Sequence, residues 1–357
     1  MMYNSVQRGG TEMSKKQNKS LRNYILNCIS ENKTDFVTKA VETFSVSRST
    51  VYNYVKALVE EGLIQKEKTI EKNTDSCGYS LCCVESTFTY NLENTRLSED
   101  IIYNGDIAPL LSDFADNVKR AWRYAVTAML NNAIEHSQAK NILCRVVKSP
   151  VTTTVFIHDD GIGVFENIKR YYLETENIEY THSECASVLL VGKFTTAREY
   201  HSGEGIFFTS HLMDKFVIYS GGTYFSRTDW KDLHLKNDSK DVGTYVEMSL
   251  SNESKKTVID IFNRFSNDDC DFSKTSIPIS HMYGGTDPVS RSEARRLGEL
   301  ISSFDEVTLD FANVSEIGQA FAHELFCVWK KRHPDMLLKV DNAGADVAFM
   351  IKRVMNK

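Results

Sequence analysis

The sequence predicts a multidomain α/β protein on three observations. Its 357 residues exceed what a single hydrophobic core usually serves. Hydrophobic periodicity changes twice along the chain: helices and a hairpin up to residue 84, a long helix with strands up to residue 252, and a regular strand–helix alternation from residue 276. Charge is uneven too. The net charge is −6, yet twelve Lys/Arg against nine Asp/Glu give residues 1–83 a charge of +3, leaving −9 for the remainder. A negative total discourages nucleic-acid binding, but that objection does not reach the basic head.

Hydrophobic residues at 41% with only 5 prolines and 18 glycines exclude a largely disordered chain. No apolar run reaches the roughly 18 residues of a membrane span, and residues 1–19, expected to be flexible, lack the apolar stretch of a signal peptide. A cytoplasmic protein with no membrane partner is expected. Eight cysteines scattered from Cys28 to Cys327 read as reduced thiols, and the cluster Cys77, Cys82, Cys83 lacks the paired spacing of a zinc site.

In the basic head, Ser20 is placed to cap a helix with Leu21, Ile25, Cys28 and Ile29 on one face, and Asp35 a second with Phe36, Ala40 and Phe44. After the short Ser45-Val46 turn, Ser47 caps a third helix, Arg48 to Glu61, whose expected buried stripe is Val51, Val55, Leu58 and Val59. Gly62 can end it in the left-handed conformation, with Leu63 folding back. Strand-like residues 63–68 and 79–84 flank the polar loop 71–78. The other face of the third helix shows Arg48, Ser49, Thr50, Tyr52, Asn53 and Lys56, side chains suited to phosphates and base edges. The run VSRSTVYNYVKALVEEGLI resembles the winged helix-turn-helix of bacterial transcription regulators. The resemblance implies a DNA-binding domain at residues 20–84 and a double-stranded DNA operator as partner. A merely solvated polar face would instead suit a dimerisation or docking module.

Residues 85–117 read as a connector, with Ser86–Tyr90 strand-like. A helix from Val118 to His136 follows, ending in LNNAIEHS. A strand then runs straight into Asp159-Asp160-Gly161-Ile162-Gly163, and GKFTT (192–196), HSGEGIFF (201–208) and GTYVEMSL (243–250) come after it. Singly these pieces are weak, since a G-x-G is most often a turn. In this order they resemble the GHKL ATPase superfamily of gyrase, histidine kinases, MutL and anti-sigma-factor kinases, here over residues 118–252. The resemblance implies an α/β sandwich that binds ATP and Mg²⁺.

It also implies roles. Asn132 matches the Mg²⁺-holding asparagine. Asp159 matches the carboxylate that accepts the adenine amino group, and Gly161 and Gly163 let the backbone approach the base; a carboxylate ending an apolar strand needs such a donor. Asp160 is expected to face solvent. Thr244 matches the threonine that supports adenine recognition. Gly203, Glu204 and Gly205 match the second glycine box, where a helix over about 206–214 begins and its amides can face phosphate. Lys193 and Thr195 match lid positions that can reach phosphate oxygens, while His136 and His201 are expected at the site's edge. One departure stands out: ATP-hydrolysing relatives carry a glutamate four residues before the asparagine, one turn away on the same face, and here that position is Ala128. Losing a general base costs roughly 10²- to 10⁴-fold in rate, so weak or absent hydrolysis is expected unless Asn131, Glu135 or Glu204 substitutes, and Glu135 points another way round the helix. The alanine is compatible with a native nucleotide-sensing pseudoenzyme or with a substitution that traps ATP.

After a linker at residues 253–275, residues 276–357 alternate: helix 291–302, strand 306–311, helix 319–332, strand 336–340 and helix 343–354. The run DFANVSEIGQAFAHELF (310–326) resembles STAS-like domains, including antagonists of anti-sigma kinases. Gln319 and Ala320 stand where those antagonists carry a phosphorylated serine, with Ser315 a weak substitute, so the module reads as a protein-partner or homodimer surface. The functional expectation is an ATP-responsive DNA-binding transcriptional regulator. The alternative is a GHKL protein kinase or ATPase of the anti-sigma or histidine-kinase type that uses its winged helix for docking.

Overall fold

The computed structural model describes residues 20–67, 77–93, 97–193, 203–226, 243–283 and 286–356. The chain divides into two compact units. One comprises Met1–Ser86, Val146–Thr154 and Ser251–Glu253, and the other Thr87–Arg145, Val155–Leu250 and Ser254–Lys357. The segments expected as separate domains at 118–252 and 276–357 thus fall largely within the second unit.

In the first unit, α1 (residues 20–30), α2 (Phe36–Phe44) and α3 (Arg48–Glu60) enclose a core of Ile25, Phe36, Ala40, Val51, Val55 and Leu58. Ser47 caps α3 by accepting from the Thr50 amide at 3.1 Å. Gly62 closes the helix at φ 70°, and the Leu63 amide folds back on the Leu58 carbonyl at 3.0 Å. Strands β1 (Ile64–Lys66) and β2 (Tyr79–Leu81) pair antiparallel with Ile64 opposite Leu81. Most of the loop between them, residues 68–76, lies outside the described residues, as does the expected flexible N-terminus 1–19.

Three local expectations are corrected. Ser20 is already helical. Asp35 makes no side-chain cap bond and instead pairs with Lys39 one turn on, at 2.7 Å. Val59 is 40% exposed, because Leu58 occupies the inward direction and the next residue turns about 100° away.

Two further sheets lie wholly or largely in the second unit. Strands β3 (Val84–Asn91), β4 (Asn141–Lys148), β5 (Thr152–Asp159), β6 (Lys215–Ser220), β7 (Thr223–Ser226) and β8 (Thr244–Ser251) form a six-stranded sheet in the order β3-β4-β5-β8-β6-β7, with β6 antiparallel to both β7 and β8. Helices α4 (Asp116–Asn131), α5 (Val164–Glu176), α6 (His182–Val191) and α7 (Gly205–Leu212) belong to this layer. Strict alternation along β5 buries Thr153, Val155, Ile157 and Asp159, so the carboxylate falls on the apolar face. The helix expected to run to His136 stays α-helical only to Asn131, and residues Asn132–His136 form a π turn.

The second sheet is parallel throughout. Strands β9 (Lys274–Pro278), β10 (Glu306–Asp310) and β11 (Leu337–Asp341) lie in the order β11-β10-β9. Helix α8 (Val258–Phe265) precedes this sheet, α9 (Arg291–Ile301) connects β9 to β10, and α10 (Gln319–His323) with α11 (Ala345–Met355) completes the layer. The expected linker 253–275 therefore contains α8 and the start of β9. A five-residue strand reading KTSIP has little local signal and is fixed by pairing with β10. Among the described residues, no helix is long and apolar enough to cross a membrane.

Candidate functional site

A cavity of about 230 Å³ lies between the helices and the central strands of the six-stranded sheet. Ala128, Asn132 and Ala133 line it from α4 and its π turn, Val164 and Ile168 from α5, and Gly203, Glu204, Gly205 and Ile206 from the start of α7. Ile157 and Asp159 of β5, Ile218 of β6, and Thr244 and Val246 of β8 form its floor. The floor is mostly apolar, with one ionisable group.

That group is Asp159, 4% exposed. Its Oδ1 accepts from the amides of Gly161 at 3.0 Å and Thr244 at 3.3 Å. Burial raises its pKa above the ordinary aspartate value, and these donors hold it down in part. The neighbouring Asp160 turns outward, accepting from the amides of Lys140 and Asn141 at 2.8 and 2.9 Å and from the Asn141 side chain at 2.8 Å. Those bonds lower its pKa. The exposure expected for Asp160 is there, but its role is to staple the turn to the start of β4.

Glycines let the backbone close around the carboxylate. Gly243 sits at φ 96°, and a Cβ there would lie 1.8 Å from the Asp159 carbonyl oxygen. At Gly161 a Cβ would lie 2.1 Å from the Ser137 carbonyl oxygen, which instead accepts from the Ile162 amide at 2.9 Å. Gly161 does its work in the turn and does not line the cavity, whereas Gly163 does. The Thr244 hydroxyl accepts from the Val164 amide at 3.0 Å, tying β8 to the start of α5.

The structure thus brings Asn132, Asp159, Gly163, Gly203, Glu204, Gly205 and Thr244 to one cavity, with Ala128 beside them. A Cβ on Gly205 would meet that of Ala128 at 3.4 Å, so α7 begins against this part of α4. Asn131 and His136 also line the wall, and Glu135 does not. Lys193 does not line the cavity. Its Nζ donates to the Ser303 carbonyl at 2.9 Å, contrary to the expected reach towards the cavity, because the Phe272 and Phe304 rings and a carbonyl receive it on the side of the second sheet. Thr195 and His201 lie outside the described residues.

Sequence reasoning missed Met129, Ser137 and Asn167 as cavity residues. Asn167 donates to the His136 carbonyl at 3.1 Å, bracing the π turn against α5. An amide one turn after Gly163 and beside the buried Ile168 was the available signal.

A second candidate surface is the outer face of α3. Arg48, Ser49, Tyr52, Asn53 and Lys56 are exposed, and Thr50 is half-buried with its amide spent on the Ser47 cap. Arg48 donates to the Thr38 hydroxyl at 3.3 Å, and Lys56 lies 3.7 Å from Glu60.

Residues 293–348 match the model of a family described as a STAS-like domain of unknown function (DUF4325). The match covers most of α9, then β10, α10, β11 and the first residues of α11. No curated protein matches the chain.

Proposed function

We propose that the chain is an ATP-responsive, DNA-binding transcriptional regulator in which the cavity takes ATP with Mg²⁺ and the outer face of α3 takes duplex DNA. The observation that carries the nucleotide reading is the buried Asp159. An apolar floor of Ile157, Ile218 and Val246 suits a flat heteroaromatic ring, and a buried carboxylate at its edge suits the ring's amino group as a further donor. That donor would offset part of the desolvation that burial imposes on the carboxylate.

The polar end of the cavity fits the rest of the nucleotide. Gly203 to Ile206 form the start of α7, and the positive end of its dipole faces the part of the cavity where an anion would lie. Asn132 would offer its side-chain oxygen to an Mg²⁺ that otherwise keeps waters and phosphate oxygens as ligands. With Ala128 at the general-base position, the chain senses nucleotide more than it consumes it. The same alanine weakens the alternative of a GHKL kinase or ATPase docking through the first unit, because phosphoryl transfer to a hydroxyl also benefits from a base.

The DNA reading rests on the polar outer face of α3 and the positive charge of residues 1–83. A mobility-shift titration of full-length protein on its own upstream DNA, at fixed salt with and without Mg²⁺-ATP, tests both halves together. ATP is expected to change DNA affinity about 5- to 150-fold. Arg48→Ala and Lys56→Ala should each weaken binding and lower the salt slope by about one. A shift indifferent to ATP and to both variants rejects the regulator reading.

A further inference from the structure

The C-terminal layer holds Lys193 in a way that its position in the sequence does not explain. Lys193 directly follows Gly192, the C-cap of α6, and takes a left-handed φ of 57° itself, uncommon for a residue with a side chain. Gly192 cannot carry a side chain, since a Cβ there would lie 2.8 Å from Phe207 and 2.9 Å from Phe272. The preceding residue, Val191, is pinned as well, its carbonyl accepting from the buried Thr275 hydroxyl at 2.8 Å. This aims the Lys193 stem at the second sheet. There its ammonium lies 4.5 Å from the centre of the Phe304 ring and 5.5 Å from that of Phe272, two rings packed edge to face, and donates to the Ser303 carbonyl. Ser303 lies just beyond the C-terminal end of α9, where the helix dipole favours a cation.

The same lysine stands close to the cavity. Leu189, four residues earlier, lines the cavity wall, and the Phe272 ring beneath the ammonium packs at 4.6 Å on Phe207 of α7, whose first residues line the same wall. We propose that Lys193 is a latch between the cavity and the STAS-like layer: the layer holds it in the nucleotide-free chain, and the triphosphate of a bound nucleotide competes for its ammonium and loosens the Phe272–Phe304 contact. This rests on the nucleotide reading of the cavity and adds to it a route by which binding reaches the C-terminal layer. No covalent step is involved. The change is an exchange of one partner of a cation for another, and its size is set by how much better ATP binds the unlatched state.

Hydrogen–deuterium exchange and ATP titration of the full-length protein test this. In wild type without nucleotide, the amides of Asp305 and Glu306, both bonded to the Ser273 carbonyl, report on the latched layer. Lys193→Met should speed their exchange at least threefold, whereas Lys193→Arg, which keeps the charge and the ring contact, should leave it near wild type. Mg²⁺-ATP should speed the same amides in wild type, and Phe304→Leu, which weakens the latch without touching the cavity, should tighten ATP binding at least fivefold. If ATP binds and yet neither Phe304→Leu changes its affinity nor ATP changes the exchange, the latch is overturned while the nucleotide site stands. If wild type fails to bind Mg²⁺-ATP, the nucleotide reading fails and the latch falls with it. Unchanged exchange in Lys193→Met overturns the latch whatever ATP does.

Discussion

The two sheets of the second unit solve the packing of helices on strands in opposite ways. Around the three-stranded sheet, Ile277, Val307, Leu309, Phe321 and Leu325 are fully buried, and the glycine on α9 makes room for a protein group: a Cβ on Gly298 would lie 2.4 Å from the Trp329 ring. Around the six-stranded sheet, small residues face one another. Ala128, Ala133, Gly163 and Gly205 stand where larger side chains would close the layer, and the space between them stays open as the cavity. Protein interiors pack to near crystal density, so a persistent gap over a buried carboxylate is a feature the surrounding residues must maintain. One layer therefore invests its glycines in cohesion, and the other invests them in a binding volume.

Substitutions that fill these glycine positions break the contrast most directly. Gly243→Ala forces a Cβ onto the Asp159 carbonyl at a positive φ, and no flexible side chain can yield. It should lower unfolding stability by more than about 3 kcal/mol in a denaturant titration and abolish nucleotide binding. Ala128→Glu instead puts a carboxylate into the open volume beside Gly205; phosphate release with Mg²⁺-ATP should rise about 10²-fold if the missing base is what limits turnover. No gain would mean that the open layer holds nucleotide without the geometry for attack.

Asp159→Asn keeps the shape and removes the charge. ATP affinity should fall about 10- to 100-fold by calorimetry, as expected for losing a hydrogen bond to a charged acceptor. The nucleotide-free protein should respond in the opposite sense. Because burial raises the folded pKa of Asp159 above its unfolded value near 4, the folded chain binds the proton more tightly, and stability is lost as pH rises through the raised value. Melting temperatures of wild type and variant should therefore coincide near pH 4 and separate towards pH 8, with the variant the more stable. The smallest effect is expected in the cohesive layer: Gly298→Ala, strained only by contact with the Trp329 ring, should cost about 1–3 kcal/mol and leave ATP affinity unchanged.

Much of this was legible before any coordinates, for physical reasons that differ from place to place. Alternation along β5 buries Asp159 because a strand has a period of two. Ser47 caps α3 and Gly62 ends it because an orphan amide and a left-handed turn have few local solutions. Val59 and Asp35 were misjudged because a stripe of apolar residues does not say where a helix face ends, and a capping residue with a lysine four positions on has a competing partner. The strand β9 and helix α8 were read as linker, since their support comes from β10 and from aromatic packing such as Phe262 on Phe208, stacked at 4.1 Å.

What depends on near neighbours can be read along the chain: the three helices of the basic head, the Ser47 cap and the Gly62 stop, the division of charge, and the inward and outward aspartates of the Asp159-Asp160 pair. Packing between distant segments sets which small residues meet across the cavity, where α4 gives way to a π turn at Asn132, and that Lys193 is received by Ser303, Phe272 and Phe304. The reason is range. Sterics and periodicity act over a few residues, whereas the direction of a long flexible cation is set by whichever carbonyl, ring or anion the fold brings within its reach.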